Sequence, residues 1–409
     1  MHYGFKLRLI PTKEQQDYFW KAANASRYVY NWSLETNTKA YNEQNIHISG
    51  NDMCKLLTQL KMQEEYSWLN ETNSHALQQA ILDCDYAFKR FFKGQSRYPK
   101  YKSKKKDTPS FGICTTISKC KRYYKTTIYN NIQFNHNNQV RLEGIGWVQL
   151  CKSAKQSNLW YLTENNINIY NGRVKFDGVY WNLSFSVDVP SKTVETTDEI
   201  IGIDVGIKDT AICSNEVVYK NINKTSSNIK KLEKRKKRYQ RQISKKYEKN
   251  KVKNPETNRY NYVKTNNIKK LEKKTAKIDR KLANIRTTYN HQISREIVNR
   301  KPKAIIMENL SIQGMMKNKY LSKAIQQQNL YQLKTFIQYK AENQGTKFVE
   351  VPRNYKSTQL CSKCGAVHKI SLSQRTYHCN ICGHTEDRDL NASHNLQNYG
   401  KSLLLAQTS

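Results

Sequence analysis

The chain has 409 residues, with 70 Lys and Arg against 33 Asp and Glu, for a formal net charge of +37. At roughly 150 residues per domain this length predicts two or three domains with real cores. So much positive charge points to a polyanionic partner, nucleic acid first, and away from a small-metabolite enzyme. The longest apolar run near either end is Leu403–Ala406, far too short to span a bilayer, and the opening MHYGFKLRLIPTKEQ has no apolar signal core. The expectation is a cytoplasmic protein, neither membrane-bound nor secreted.

The predicted elements begin with FKLRL at 5–9, which alternates and stops before Pro11 as a short strand does. Thr12 and Gln15 have capping-box spacing. Tyr18, Ala22, Ala25, Val29 and Trp32 then share one helical face. A second face is Leu77, Ile81, Cys84, Phe88 and Phe91 after a Ser74 N-cap, so residues 12–93 read as a helical unit with Cys84 in its core. Residues 89–106 hold nine Lys or Arg, no acid and four interleaved aromatics. They read either as a solvated loop or as a phosphate-contacting stretch, with Lys100, Lys102, Lys104 and Lys105 as candidates.

From about 110 to 190 the pattern changes to short alternating runs. Trp181, Leu183, Phe185, Val187 and Val189 point one way, and Asn171-Gly172 and Asp177-Gly178 signal hairpins, so a small antiparallel barrel or sheet is expected. Cys114 and Cys120 have no common zinc spacing and read as structural. Residues 221–300 carry 26 Lys or Arg against 6 acids. Ile268, Leu271, Thr275, Ile278, Leu282, Ile285 and Tyr289 form a heptad seam, and Ile229, Leu232, Tyr239 and Ile243 an earlier arm, separated by Pro255. An antiparallel helical hairpin follows, seam inside and basic residues outside, with Lys231, Lys234, Arg235, Lys236 and Lys237 as candidate polyanion contacts.

Three acids sit where chemistry is possible. IIGIDVG at 200–206 is an apolar strand holding Asp204, AIIMEN at 304–309 is a second ending on Glu308, and DRDLNA at 387–392 opens a helix with Asp389 in its first turn. Each has a plain reading as a solvated strand end or a capping group. Together they offer oxygen ligands to hard cations, and two such ions are the requirement for metal-assisted phosphodiester cleavage. Cys361-x-x-Cys364 and Cys379-x-x-Cys382, 14 residues apart, suit a structural tetrahedral zinc. His368, His378 and His384 read as spare imidazoles, and Lys363, Lys369 and Arg375 as groups that temper thiolate charge or hold nearby nucleic acid.

The strings IIGIDVGIKDTAIC, AIIMENLSI and CSKCG…CNICGHTEDRDLNASHNL, in that order, resemble the RuvC-like nuclease of the TnpB (OrfB) family, the RNA-guided nucleases of bacterial insertion sequences. KLRLIPTKEQ, RYVYNWSL, RYPKYKSKKKDTPSF, NIRTTYNHQISREIV and YKAENQGTKFVEVP fit it too, so the resemblance covers nearly the whole chain. It implies a multidomain α+β protein. A β-barrel wedge domain takes residues 1–11 and 109–190, and a helical recognition lobe residues 12–108. An RNase-H-like (RuvC) α/β nuclease domain takes 191–409, with its basic hairpin at 221–300 and a zinc ribbon at 355–386. Carried over by position, Asp204, Glu308 and Asp389 are the catalytic, Mg2+-holding acids, and Asp387 is a neighbour. Tyr331 stands where many members have Trp. The implied partners are a guide RNA from the transposon end, one protein chain per RNA, and double-stranded target DNA met at the nucleoid; the implied metals are two Mg2+ and one Zn2+. A miniature type V CRISPR effector shares these strings. A non-cleaving RNA-guided regulator would have lost an acid, and a His-Tyr transposase has no matching motif here.

Overall fold

The structure, a computed structural model, describes residues 2–113, 115, 117–122, 125–130, 132–151, 159–165, 167–188, 194–255, 257–371 and 374–406. The chain divides into two units, Met1–Pro190 and Ser191–Ser409.

The first unit runs β1 (His2–Ile10), α1 (Lys13–Gln44), α2 (Gly50–Leu60), a 3-10 segment (Glu64–Glu71), α3 (Ser74–Phe92), β2 (Ser110–Gly112), β3 (Ile117–Arg122), β4 (Lys125–Asn130), β5 (Gln133–Phe134), β6 (Gln139–Leu142), β7 (Gly146–Leu150), α4 (Trp160–Glu164), β8 (Ile169–Phe176) and β9 (Trp181–Asp188). Seven strands form an antiparallel sheet in the order β2-β8-β9-β1-β7-β6-β5. β1 is its spine, pairing with β9 through His2–Arg8 and with β7 through Leu9 and Ile10. Thr12 closes the strand and opens the helix. Its hydroxyl accepts from the Gln15 N–H at 3.2 Å, and its own N–H donates to the Gln15 carbonyl side chain at 3.1 Å. Leu7, Leu9, Leu183, Phe185 and Val187 are buried against Phe19 and Ala22 of α1. Farther along α1, Val29 and Leu34 pack on Leu77, Ile81, Cys84 and Phe88 of α3.

Two local expectations change. The cap of α3 is Asn73, whose side chain accepts from the His75 N–H at 2.8 Å, and Ser74 is the first helical residue. Asn171-Gly172 is no hairpin: it lies inside β8, where the register to β9 shifts between Tyr170 and Arg173 and Asn171 takes φ 56°. A bulge uses the same left-handed backbone that a turn does. Asp177-Gly178 does turn the chain, and Asp177 accepts from the N–H groups of Val179 and Tyr180. Cys114 and Val189 lie outside the described residues, as does the side chain of Cys120.

The second unit runs β10 (Ile200–Asp204), β11 (Asp209–Cys213), β12 (Val218–Lys220), α5 (Ile222–Thr225), α6 (Ser227–Lys249), β13 (Lys251–Lys253), β14 (Tyr260–Tyr262), α7 (Asn266–Asn299), β15 (Ala304–Glu308), α8 (Ile312–Met315), α9 (Ser322–Gln328), α10 (Leu330–Asn343), β16 (Lys347–Val351), β17 (Thr376–His378), β18 (Thr385–Asp387) and α11 (Arg388–Leu405). Its five-stranded sheet has the order β12-β11-β10-β15-β16. The first three strands are an antiparallel meander, and β15 and β16 add in parallel. This is the RNase-H-like (RuvC) topology. Strand alternation explains its layers. Ile201, Ile203, Ile305 and Met307 face Ile293, Ile297, Leu333 and Ile337 of α7 and α10. Ala304 and Ile306 face Leu396 of α11.

Helices α6 and α7 form the basic hairpin. Ile229, Leu232, Ile278 and Leu282 are buried between them, flanked by half-buried Tyr239 and Ile285. Arg286 fastens its base, donating to Asn223 at 2.7 Å and Glu233 at 2.8 Å. Leu271 and Thr275 are only half-buried, and the Thr275 hydroxyl donates back to the Leu271 carbonyl at 3.0 Å.

Candidate active site and metal centre

β10 and β15 run parallel with Ile203 opposite Met307, so Asp204 and Glu308 end adjacent strands. The third acid arrives on α11 because of Gly202. A Cβ there would meet the Ser393 carbonyl oxygen at 2.1 Å and the Gln397 nitrogen at 2.5 Å, so only glycine lets the helix backbone rest on the strand. Gln397 donates to the Ile200 carbonyl at 2.7 Å, and His394 Nε2 meets the Ser214 carbonyl at 3.0 Å. Asp387 is the N-cap of α11, accepting from Asp389 and Leu390 N–H at 2.9 and 3.2 Å.

The electrostatic result falls on Asp204. Burial first, then the charges of Asp389 and Glu308, push the Asp204 carboxyl up to about 7 against the opposing field of Arg388. Burial also raises Glu308. Arg388 folds back on its neighbour, with Nε and Nη2 at 2.9 and 2.7 Å from Asp389 Oδ1, and Arg375 Nη1 lies 3.6 Å from Oδ2. A buried carboxyl raised by two neighbouring acids, one of them paired with arginine, has the donor chemistry a hard divalent cation takes. Beside Glu308 lies a cleft of about 350 Å³ lined by Val205, Asn309, Tyr331, Lys334 and Arg353.

Among the described residues, Cys361, Cys364, Cys379 and Cys382 form the one group of three or more His, Cys, Asp or Glu side chains close enough to hold an ion, all four sulfurs lying within 4.8 Å of one another. The Sγ separations of Cys361 to Cys382 and of Cys364 to Cys379 are both 3.6 Å. Four thiolates at zinc–sulfur bonds of about 2.3 Å around a tetrahedron stand roughly 3.8 Å apart, so the quartet fits zinc. The two knuckles are built alike. Gly365 N–H donates to the Cys361 carbonyl and Gly383 N–H to the Cys379 carbonyl, each at 2.9 Å, and both glycines take positive φ, 75° and 70°. The backbone N–H of Cys382, then that of Ile381 and the His368 ring, hold the Cys379 thiol well below its usual range against burial. His368 Nε2 sits 3.2 Å from that sulfur as a partner of the thiolate. His378 pairs with Thr385, and His384 with Ser362 and Glu386.

Three asparagines at helical spacing bind this knuckle to α11. Asn391 donates to the Leu360 carbonyl at 2.7 Å and accepts from Ser362 N–H at 3.0 Å. Asn395 donates to the Ser357 and Leu360 carbonyls, and Asn398 to that of Ser362. The segment around Cys361 is therefore fastened to the helix whose first turn carries Asp389.

Family models match most of this frame. One described as "Probable transposase" matches residues 184–319, one described as "Cas12f1-like, TNB domain" residues 331–396, and one described as "Helix-turn-helix domain" residues 1–45. In the last stretch the structure has β1 and one unbroken helix, α1. A "Putative RNA-guided DNA endonuclease" of Streptomyces pristinaespiralis is 27% identical over 96% of this chain and 88% of its own. "Putative RNA-guided DNA endonuclease InsQ" of Escherichia coli (strain K12) is 25% identical over 98% and 93%. The chain belongs to the TnpB (OrfB) family.

TnpB proteins are RuvC-like nucleases related to the type V CRISPR effectors, and the fold agrees. The protein in "Cryo-EM structure of the Cas12f1-sgRNA-target DNA complex" superposes with a TM-score of 0.62, over 97% of this chain and 99% of that one, at 14% identity. Tyr331 stands 67% exposed among the residues that line the cleft beside Glu308.

The basic candidates divide. Lys100, Lys104, Lys105, Lys231, Lys234, Arg235 and Lys237 are exposed. Lys102 turns inward, its backbone bracketed by Asn31 and its ammonium 3.5 Å above the Tyr30 ring. Lys236 ties α6 to Asp279 of α7 at 2.5 Å. Sequence reading missed Arg388, Lys334 and Arg353, which no periodicity marks. It also missed the Asn391, Asn395 and Asn398 row, whose spacing of four and three was visible. No described helix is long and apolar enough to cross a membrane.

Proposed function

We propose that this TnpB-family protein is an RNA-guided DNA endonuclease of a transposable element. It cuts double-stranded DNA beside a short flanking motif, by phosphodiester hydrolysis at Asp204, Glu308 and Asp389. The observation that carries the reading is the convergence of Asp389 and Glu308 charge on the buried Asp204 carboxyl, across adjoining β10, β15 and α11. Two Mg2+ ions, when bound, supply a water of lowered pKa and charge for the leaving oxygen. The three carboxylates would hold the ions, with Asp204 ionised in the loaded site. Arg388 and Arg375 hold the Asp389 carboxyl group in position through their ion pairs. Lys334 and Arg353 in the cleft beside Glu308 attract a phosphate backbone. The cysteine quartet holds zinc and keeps α11 in place.

Residues 1–11 and 109–190 act as a wedge, and 12–108 as a recognition lobe reading the flanking motif. Base pairing to the guide supplies the remaining specificity, as in RNA-guided systems generally. The match of 331–396 to a Cas12f1-like domain favours a miniature CRISPR effector as the second reading, decided by whether a CRISPR array adjoins the gene.

The test is a plasmid library with randomised flanks, offered to protein purified with its native flanking DNA expressed. Wild type cuts at one flanking motif in Mg2+ and not after chelation. Asp204→Ala, Glu308→Ala and Asp389→Ala each abolish cutting while target binding persists. Cutting that survives EDTA, or an Asp389→Ala protein that cuts normally, overturns the assignment.

A further inference from the structure

At the turn of the basic hairpin, between α6 and α7, the chain forms a two-stranded ribbon from β13 and β14. Its register sets Lys251 opposite Tyr262, Val252 opposite Asn261 and Lys253 opposite Tyr260. Side chains alternate along a strand and opposite residues share a face. Lys251, Lys253, Tyr260 and Tyr262 therefore lie together on one face. All four are exposed, and the tyrosines keep 50% and 51% of their surface open.

The rings are held in place. Lys251 Nζ stands 4.8 Å from the Tyr260 ring centre and 3.1 Å from Glu248. Tyr262 meets Tyr247 edge-on at 6.3 Å, and the Tyr247 hydroxyl donates to Glu272 at 2.9 Å. The ribbon's charge is complementary to nucleic acid, since residues 245–264 carry seven Lys or Arg against two acids.

We propose that this face is a stacking platform for unpaired RNA bases, the tyrosines taking the bases and Lys251 and Lys253 the adjoining phosphates. A surface for duplex backbone needs cations alone; open rings beside cations match single strands, whose bases present free π-faces. The inference deepens the RNA-guided reading and rests on it for the identity of the strand.

The full-length protein is tested with a single-stranded RNA oligonucleotide carrying 5-iodouridine. Irradiation should crosslink it to Tyr260 or Tyr262, and a duplex of the same sequence should not compete at equal concentration. Paired Tyr260→Ala and Tyr262→Ala should weaken binding about fivefold or more at roughly 0.5 M salt, where phosphate contacts are suppressed, with the salt slope unchanged. The paired Tyr→Phe protein should bind like wild type, and paired Lys251→Ala and Lys253→Ala should lower the slope by about one. Circular dichroism checks that the hairpin persists in every variant. Crosslinks only elsewhere, full affinity in the Tyr→Ala pair, or equal loss for duplex RNA overturns the platform. Wild-type crosslinking without guided cleavage would sink the nuclease reading and leave the platform standing; cleavage with no crosslink here does the reverse.

Discussion

Asp204 is costly to fold around. Its carboxyl rises from 3.8 to about 7 because burial and two neighbouring acids disfavour its charge. A group raised in the folded state contributes stability that is full below its unfolded pKa and lost as pH climbs through the folded one. The metal-free protein should therefore lose melting temperature between about pH 4 and pH 7 from this group. Asp204→Asn should remove that slope and melt a few degrees higher than wild type at pH 8. Mg2+ should raise the wild-type melting temperature and leave the variant unmoved. Calorimetry with and without the ion reads all three outcomes; a variant that melts lower at pH 8 refutes the account.

The apolar β10 and β15 make their terminal acids legible in sequence. The arginine on Asp389 is not, because that contact depends on how Arg388 folds back at a helix start. Asp387 was legible as a neighbour and turns out to be the cap of the helix bearing Asp389.

Among the elements, the α6–α7 hairpin depends on few side chains. Leu282 is 2% exposed in a cluster with Ile229, Leu232 and Ile278. Leu282→Ala should cost roughly 2–5 kcal/mol, seen as a lower urea midpoint. Helix α11 depends instead on hydrogen bonds to the knuckle. Asn391, fully buried, makes two of them, so Asn391→Ala should keep about one zinc per chain by elemental analysis while cleavage falls about tenfold. Loss of the zinc itself in this variant would mean that the asparagine builds the knuckle and does not merely join it to the helix.

The heptad seam showed in the sequence because hydrophobic period is local information. That Leu271 and Thr275 fall out of the tight core could not show, because it depends on how far α6 extends beside them. The bulge at Asn171-Gly172 was misread for a related reason. A left-handed pair means a turn or a bulge, and only the partner strand β9 decides which.

At the scale of the molecule, charge dominates. Affinity for RNA should fall linearly on logarithmic axes of binding and salt, with a slope of several units. Reversing Lys231, Lys234, Arg235 and Lys237 together should flatten that slope by roughly two or more, whereas Lys236 belongs to the Asp279 pair and is left intact. Titrations at four salt concentrations decide it; an unchanged slope makes α6 a merely solvated face. The close contact of Gly202 with α11 has a consequence for synthesis. Asp204 and Glu308 are translated well ahead of Asp389, and at about 5–20 residues per second the ribosome needs roughly 4–16 s to pass from Glu308 to Asp389. On the proposed reading, the nascent chain lacks its third acid throughout that interval. The site proposed for cutting would be complete only once α11 has emerged.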